Sequence, residues 1–308
     1  MHSLHNLKNL RKLSQHVYLV GGEKGGRYPF CNCLLIKDEK SCLIDTGAGR
    51  GIVELKNSLD LDLILNSHWH EDHIACNGLL NARVAIHQLD AEAAESFDEF
   101  KRRYGLPEEF VNLFIELWFE KFRETAFSEV NIRFSDGDEF EFGNTVIKVI
   151  HSPGHSAGHS CFLVQDGDFR MVYLGDIDLT SFGPWYGCLD CDVEEFEGSI
   201  TRMMNIVDKE GVELAVSSHK GVISGREKIM EGLRKYLEKM QEREKMILKL
   251  LSDGKRSHEL AGKGIVYRSL PEPREIFSHF ETAMVEKHLE KLVKKGEVVE
   301  SGGKFVRV

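Results

Sequence analysis

Four metal-ligating side chains fall within six residues: His68, His70, Asp72 and His73 directly follow the apolar run 61–65. Two histidines separated by one residue in an extended loop turn their rings the same way, and the Asp and His opening the next helix add two donors close by. Imidazole and carboxylate together suit Zn²⁺, Fe²⁺ or Mn²⁺; the alternative is a hydrogen-bonded surface loop. Three further donors stand where strand-like runs end: His155 in the turn 152–155, Asp176 after Gly175, and His219 after 213–217. Separate strands delivering ligands to one edge of a rigid scaffold is how active sites are commonly built, and seven donors suffice for two cations.

The chemistry follows from that donor set. Two cations sharing a hydroxide lower the pKa of water from about 15.7 towards ~7 and hold the nucleophile against an electrophilic carbonyl or phosphorus. Asp72 would orient its proton, and no Ser or Cys nucleophile is required. Around this centre Asp45 is expected to accept a hydrogen bond from a ligand histidine, or else simply to end its strand. His159 reads as a structural hydrogen-bonding residue, with substrate contact as the alternative. Trp185 and Tyr186 either line the pocket mouth or pack their own loop. Cys31, Cys33, Cys188 and Cys191 could make a four-thiolate zinc site, although a spacing of one is unusual for that purpose, and buried thiols are the plainer reading.

The elements that must position these residues are short and punctuated. Strands are expected at 17–21, 32–37, 41–44 and 61–65, a helix at 50–58, and another helix starting near His73. An acidic helical insertion at about 89–127 carries Phe97, Phe100, Phe110, Phe114, Trp118 and Phe122 at near-helical spacing, divided into two helices by Pro107. It reads as an extra helical layer or as a lid. Strands resume at 133–134, 139–142 and 146–151, a hairpin pairs 160–165 with 170–174, and 213–217 closes the body. A long amphipathic helix spans 226–251, followed by two helices and two strands around Gly302-Gly303. That order predicts a winged-helix-like C-terminal domain, 226–308, after a catalytic domain, 1–225.

Charge supports the division. Residues 1–225 carry 21 basic and 36 acidic side chains, whereas 226–308 carry 19 and 14. The acidic body disfavours a broad polyanion groove, so a small-molecule substrate is expected and nucleic acid is not favoured. The unpartnered face of the long helix allows a homo-oligomer. No apolar run is long enough for a membrane span, no signal-peptide core opens the chain, and seven cysteines are sparse, so a soluble cytoplasmic protein is expected.

His68, His70, Asp72 and His73, the Pro-Gly-His turn ending in His155, the Gly-Asp pair ending in Asp176, and His219 together resemble the metallo-β-lactamase superfamily over roughly residues 14–224. The resemblance implies an αββα sandwich in which His68, His70 and His155 hold one metal, Asp72, His73 and His219 the second, and Asp176 bridges them. Within the superfamily the 152–160 stretch looks most like glyoxalase II and its thioester-hydrolase relatives. It implies a dinuclear hydrolase, zinc-dependent or using iron or manganese, that turns a bridging hydroxide on a thioester or other small acyl ester. A ribonuclease, suggested by the winged-helix-like tail, and a mononuclear iron thiol or persulfide dioxygenase are the alternatives.

Overall fold

Alternating side chains decide which way each strand faces. In Cys33–Lys37, Leu34 and Ile36 enter one apolar cluster while Cys33 and Leu35 enter another, as a pleated backbone buried on both faces requires. The computed structural model of the chain describes residues 9–58, 60–119, 123–252 and 254–308.

The first sheet runs in chain order through β1 (Leu10–Lys12), β2 (Val17–Val20), β3 (Cys33–Lys37), β4 (Ser41–Ile44), β5 (Leu63–Leu65), β6 (Arg83–His87) and β7 (Ile132–Phe134). The second holds β8 (Glu139–Glu141), β9 (Thr145–His151), β10 (Ser160–Asp166), β11 (Phe169–Tyr173), β12 (Leu214–Ser217) and β13 (Gly221–Ser224), and a separate hairpin pairs β14 (Val298–Ser301) with β15 (Lys304–Arg307). Leu34, Ile36, Ile44 and Leu65 of the first sheet meet Ile147, Phe162, Tyr173 and Val216 of the second in the cluster between them. Helices cover the outer faces. Ile52 and Leu55 of Arg50–Lys56 and Ile200, Met203 and Val207 of Val193–Lys209 are fully buried.

Pairing is parallel from β4 through β5 and β6 to β7, and again between β11 and β12. The loops after β4, β5, β11 and β12 therefore open on matching edges, the position at which α/β sheets place their ligands. The strands at Leu10–Lys12, Arg83–His87 and Gly221–Ser224 were not among those the sequence pattern picked out.

Two expectations about helices need correction. The insertion is cut not once but several times, into Ala91–Glu95, Phe97–Tyr104, Glu108–Phe114 and Arg123–Ala126. Ser96 adopts an extended backbone and its hydroxyl caps the Glu99 N–H, which starts a new helix there. Phe122 and the side chain of Trp118 lie outside the described residues. In the tail, the helix Arg226–Leu250 buries Ile229, Leu233, Tyr236, Met240 and Ile247, but only a single 3₁₀ turn, Ser257–Glu259, precedes Arg274–Lys294. Gly262 and Gly264 sit at φ of 74° and 79°, and the buried Glu281 carboxylate takes the N–H groups of Gly262, Val266 and Tyr267. Those donors are thereby committed to a loop rather than a helix. His288, Met284 and Leu292 are all fully buried on the last helix, so this histidine is a core residue. Among the described residues no helix is long and apolar enough to cross a membrane.

Candidate metal centre

The loop ends bring the seven donors of the sequence together in two adjoining groups. His68, His70, His155 and Asp176 each place one donor atom within 4.8 Å of the others, and so do Asp72, His73 and His219. His70 Nδ1 lies 3.0 Å from His68 Nε2 and 2.9 Å from His155 Nε2, and the latter two are 3.2 Å apart. Asp176 joins the groups: one oxygen is 3.2 Å from His155 Nε2, and the other is 3.1 Å from His73 Nε2 and 3.2 Å from His219 Nε2. Asp72 sits 3.7 Å from His73 Nε2 and 3.5 Å from His219 Nε2.

Each histidine has an outward partner that fixes which nitrogen faces inward. His155 Nδ1 donates to the Trp185 carbonyl at 2.8 Å, His219 Nδ1 to the Gly26 carbonyl at 2.7 Å, and His73 Nδ1 to Asp45 at 2.7 Å. His68 Nδ1 is 3.0 Å from the Ser67 hydroxyl, whose own proton goes to Asp45. His70 turns Nε2 to the Cys188 thiol at 3.5 Å. The five inward nitrogens are thus lone-pair donors converging on two carboxylates.

Charge within the cluster is out of balance without a cation. Burial and the neighbouring rings push His68 and His70 well below the ordinary histidine range. Burial opposes charging His73 and His219 as well, but Asp176 and Asp72 outweigh it, raising His73 well above and His219 to about 10. For Asp176 burial is likewise outweighed, by His219, His73 and His155, and its carboxyl is held well below the usual range. Asp72 Oδ2, His73 Nε2 and Asp176 Oδ1 are buried without a well-aligned hydrogen-bond partner. Convergent lone pairs, two carboxylates and orphaned atoms are what a divalent cation site presents, so the residues fit such ions.

The backbone is shaped to allow this. Gly47 passes so close to Asp72 that a Cβ would stand 1.5 Å from its carbonyl oxygen. Asp176 is aimed by His159, which accepts the Asp176 N–H at 3.0 Å on Nε2 and donates from Nδ1 to the Ser152 carbonyl at 2.9 Å. His159 is fully buried, and burial lowers its pKa to about 3, which gives it the geometry of a neutral strut. Asp45 accepts from the Ser67 N–H, the Ser67 and Tyr173 hydroxyls and His73.

Trp185 and Tyr186, in the loop after Asp176, part company. The Trp185 ring makes T-shaped contacts with both His70, at 5.7 Å between ring centres, and His155, at 6.0 Å. Tyr186 is fully buried behind it, 2.7 Å from His288 Nε2 and accepting from Arg243 at 3.1 Å, so it packs the loop rather than the mouth. The cysteine pairs do not meet: Cys31 groups with Asp45 and His73, and Cys188 with Asp190 and Cys191. Glu71, passed over in the sequence, is buried inside the motif and accepts the hydroxyls of Tyr28, at 2.6 Å, and Tyr104. Burial and the Asp72 charge raise its pKa to about 7. A carboxylate among the ligands was the signal available for it.

Sandwich and donor set together define a class, and comparison with known proteins agrees. Residues 26–219 match the model of the metallo-beta-lactamase superfamily, and the chain belongs to that superfamily as a hydrolase. It is 28% identical over 240 residues to an acyl-coenzyme A thioesterase of Homo sapiens, covering 70% of this chain and 81% of that one. It is 22% identical over 256 residues to an atrochrysone carboxyl ACP thioesterase of Aspergillus chevalieri, covering 80% and 68%. A metallo-beta-lactamase family protein of Thermus thermophilus superposes with a TM-score of 0.71 at 25% identity, over 96% of this chain and all of that one.

Proposed function

We propose that the chain hydrolyses acyl thioesters at a centre of two divalent cations, zinc being the favoured ion. The observation that carries the reading is the convergence of His68, His70 and His155 on one side of Asp176 and of Asp72, His73 and His219 on the other. Bound there, the cations would supply hydroxide from water near neutral pH and polarise the thioester carbonyl. The chain's own contribution is placement. Asp176 spans both groups, and Asp72 offers a buried acceptor at their margin for the proton of the attacking water. Trp185 covers His70 and His155 and keeps bulk water from that side. The two thioesterase relatives support the acyl thioester over other esters, and the acidic body argues against RNA. Residues 226–308 are read as a winged-helix-like unit that walls this centre without supplying a ligand to it.

The test is metal analysis with a substrate panel. The protein is expected to hold two equivalents of metal, to lose both with His70→Ala combined with His219→Ala, and to cleave acyl thioesters in preference to RNA. Chelation should lower the melting temperature by roughly 5–10 °C, since ligand at about 100 times its Kd contributes about 2.7 kcal/mol. A chain without metal, or one that cleaves RNA alone, sinks the proposal.

A further inference from the structure

Behind the first histidine group lies a pair of thiols that the reaction does not use. Cys191 N–H donates to the Cys188 carbonyl at 3.3 Å, closing a four-residue turn. Such a turn keeps its end Cα atoms within about 7 Å, overlapping the span of about 4.4–6.8 Å that a disulfide bridges. The two Sγ atoms lie within 4.8 Å of each other. Each also bears on a different member of the cluster: Cys188 Sγ is 3.5 Å from His70 Nε2, and the Cys191 S–H donates to the His155 carbonyl at 2.9 Å. The turn follows Trp185, whose carbonyl orients the His155 ring.

We propose that Cys188 and Cys191 form a reversible redox modification site, and that closing its disulfide loosens the grip of His70 and His155 on their cation. The inference rests on the reading of those two histidines as metal-holding. The oxidant class is a hydroperoxide. Cys191 is 6% exposed whereas Cys188 is fully buried, so oxidation starts at Cys191. One peroxide oxygen adds to its sulfur, giving a sulfenic acid and releasing the alcohol or, from hydrogen peroxide, water. The Cys188 sulfur then attacks, the S–S bond forms, and the sulfenic oxygen leaves as water with the Cys188 proton. Overall, two thiols are oxidised by two electrons and one peroxide is reduced. The product lacks the S–H that Cys191 gives to His155 and draws Cys188 sulfur away from His70. Outer partners of metal ligands are worth about 10–100-fold in metal affinity or activity.

The experiment treats the metal-loaded protein with hydrogen peroxide, blocks the remaining thiols, and maps the disulfide by mass spectrometry alongside metal content and turnover. A 188–191 link is expected, with loss of metal and a 10- to 100-fold fall in turnover, about as large as loss of an outer partner. Dithiothreitol and fresh metal should restore both. Cys191→Ser keeps an O–H for the His155 carbonyl and has no disulfide to close, so after peroxide it should retain its own untreated metal content. The proposal is overturned if no 188–191 link forms, if the link maps instead to Cys31 and Cys33, whose sulfurs are 3.7 Å apart, or if the link forms and metal stays bound. Absence of thioesterase turnover before oxidation would defeat the functional reading alone, because linkage and metal retention are read without it.

Discussion

The Trp185 indole N–H donates to the Tyr267 hydroxyl at 3.0 Å, joining two residues 82 apart in sequence. The same tryptophan gives its carbonyl to His155 and packs against Phe280 at 5.3 Å between ring centres. The segment after residue 225 thus sets one wall of the centre through Trp185. Tyr267→Phe keeps the ring beside Phe182 and Phe277 but strands the indole N–H, at a cost of about 1 kcal/mol. Expected are a several-fold fall in kcat/KM and a drop in unfolding midpoint of only about 2–4 °C, checked by steady-state kinetics on a thioester and by thermal unfolding. Unchanged kinetics would show that the wall stands without this bond.

Asp45 is the acceptor on which His73, Ser67 and Tyr173 converge. Asp45→Asn replaces one carboxylate oxygen with a donor, so at least one of these buried donors loses its partner. A stability loss of about 2–3 kcal/mol and a loss of metal affinity or activity on the order of 10–100-fold are expected, measured by denaturant unfolding and metal titration. A variant with full metal affinity would remove Asp45 from the centre's support.

The seven candidate donors were legible because each follows an apolar strand or sits in a motif of fixed spacing, and their convergence follows from the parallel pairing of β4 with β5 and of β11 with β12. Their outer partners were not. The Gly26 carbonyl meets His219 across 193 residues and Cys188 meets His70 across 118, and neither a backbone oxygen nor a lone thiol carries a pattern in sequence. The αββα layering was implied by the family resemblance of the donor motif, whereas the facing of Leu34 and Ile36 against Cys33 and Leu35 could not be read from a run that is apolar throughout. Pro107 does divide the insertion, between Phe97–Tyr104 and Glu108–Phe114, but the further break at Ser96 is missed because a serine cap outweighs continuous helical spacing. In the tail, Glu281 takes backbone donors from the segment around Gly262 and Gly264, whose two glycines at positive φ are the local signal against the helix expected there.

Gly26 and Gly25 offer a matched pair. Both sit at positive φ, 78° and 74°, so alanine strains either by about 1 kcal/mol. At Gly26 a Cβ would also stand 2.3 Å from Asn32 Nδ2 and 2.8 Å from the Ser218 carbonyl, whereas at Gly25 it meets nothing within 4 Å. Gly26→Ala must therefore shift the carbonyl that orients His219. Metal content should fall from two equivalents towards one in Gly26→Ala and stay unchanged in Gly25→Ala, as read by elemental analysis. Equal behaviour of the two would mean that the Gly26 carbonyl does not tune the second group.

Glu244 ties the two long helices of the tail together. Its carboxylate lies 2.7 Å from Lys291 Nζ, 3.2 Å from Lys295 Nζ and 3.7 Å from His288 Nδ1. Burial alone would raise its pKa, but His288 and Lys291 outweigh it and hold the group at about 2. A carboxyl lowered on folding binds fewer protons in the folded chain than in the unfolded one. Its stabilisation is complete above the unfolded pKa of about 4.3 and disappears as pH falls towards 2. Glu244→Gln should therefore be less stable than the parent by about 1–2 kcal/mol at pH 7, after allowance for solvent screening of a partly exposed group. The two unfolding curves should converge between pH 4.5 and about 2, measured by urea denaturation at fixed ionic strength. A gap that stays constant down to pH 2.5 would assign the loss to packing of the side chain rather than to its charge.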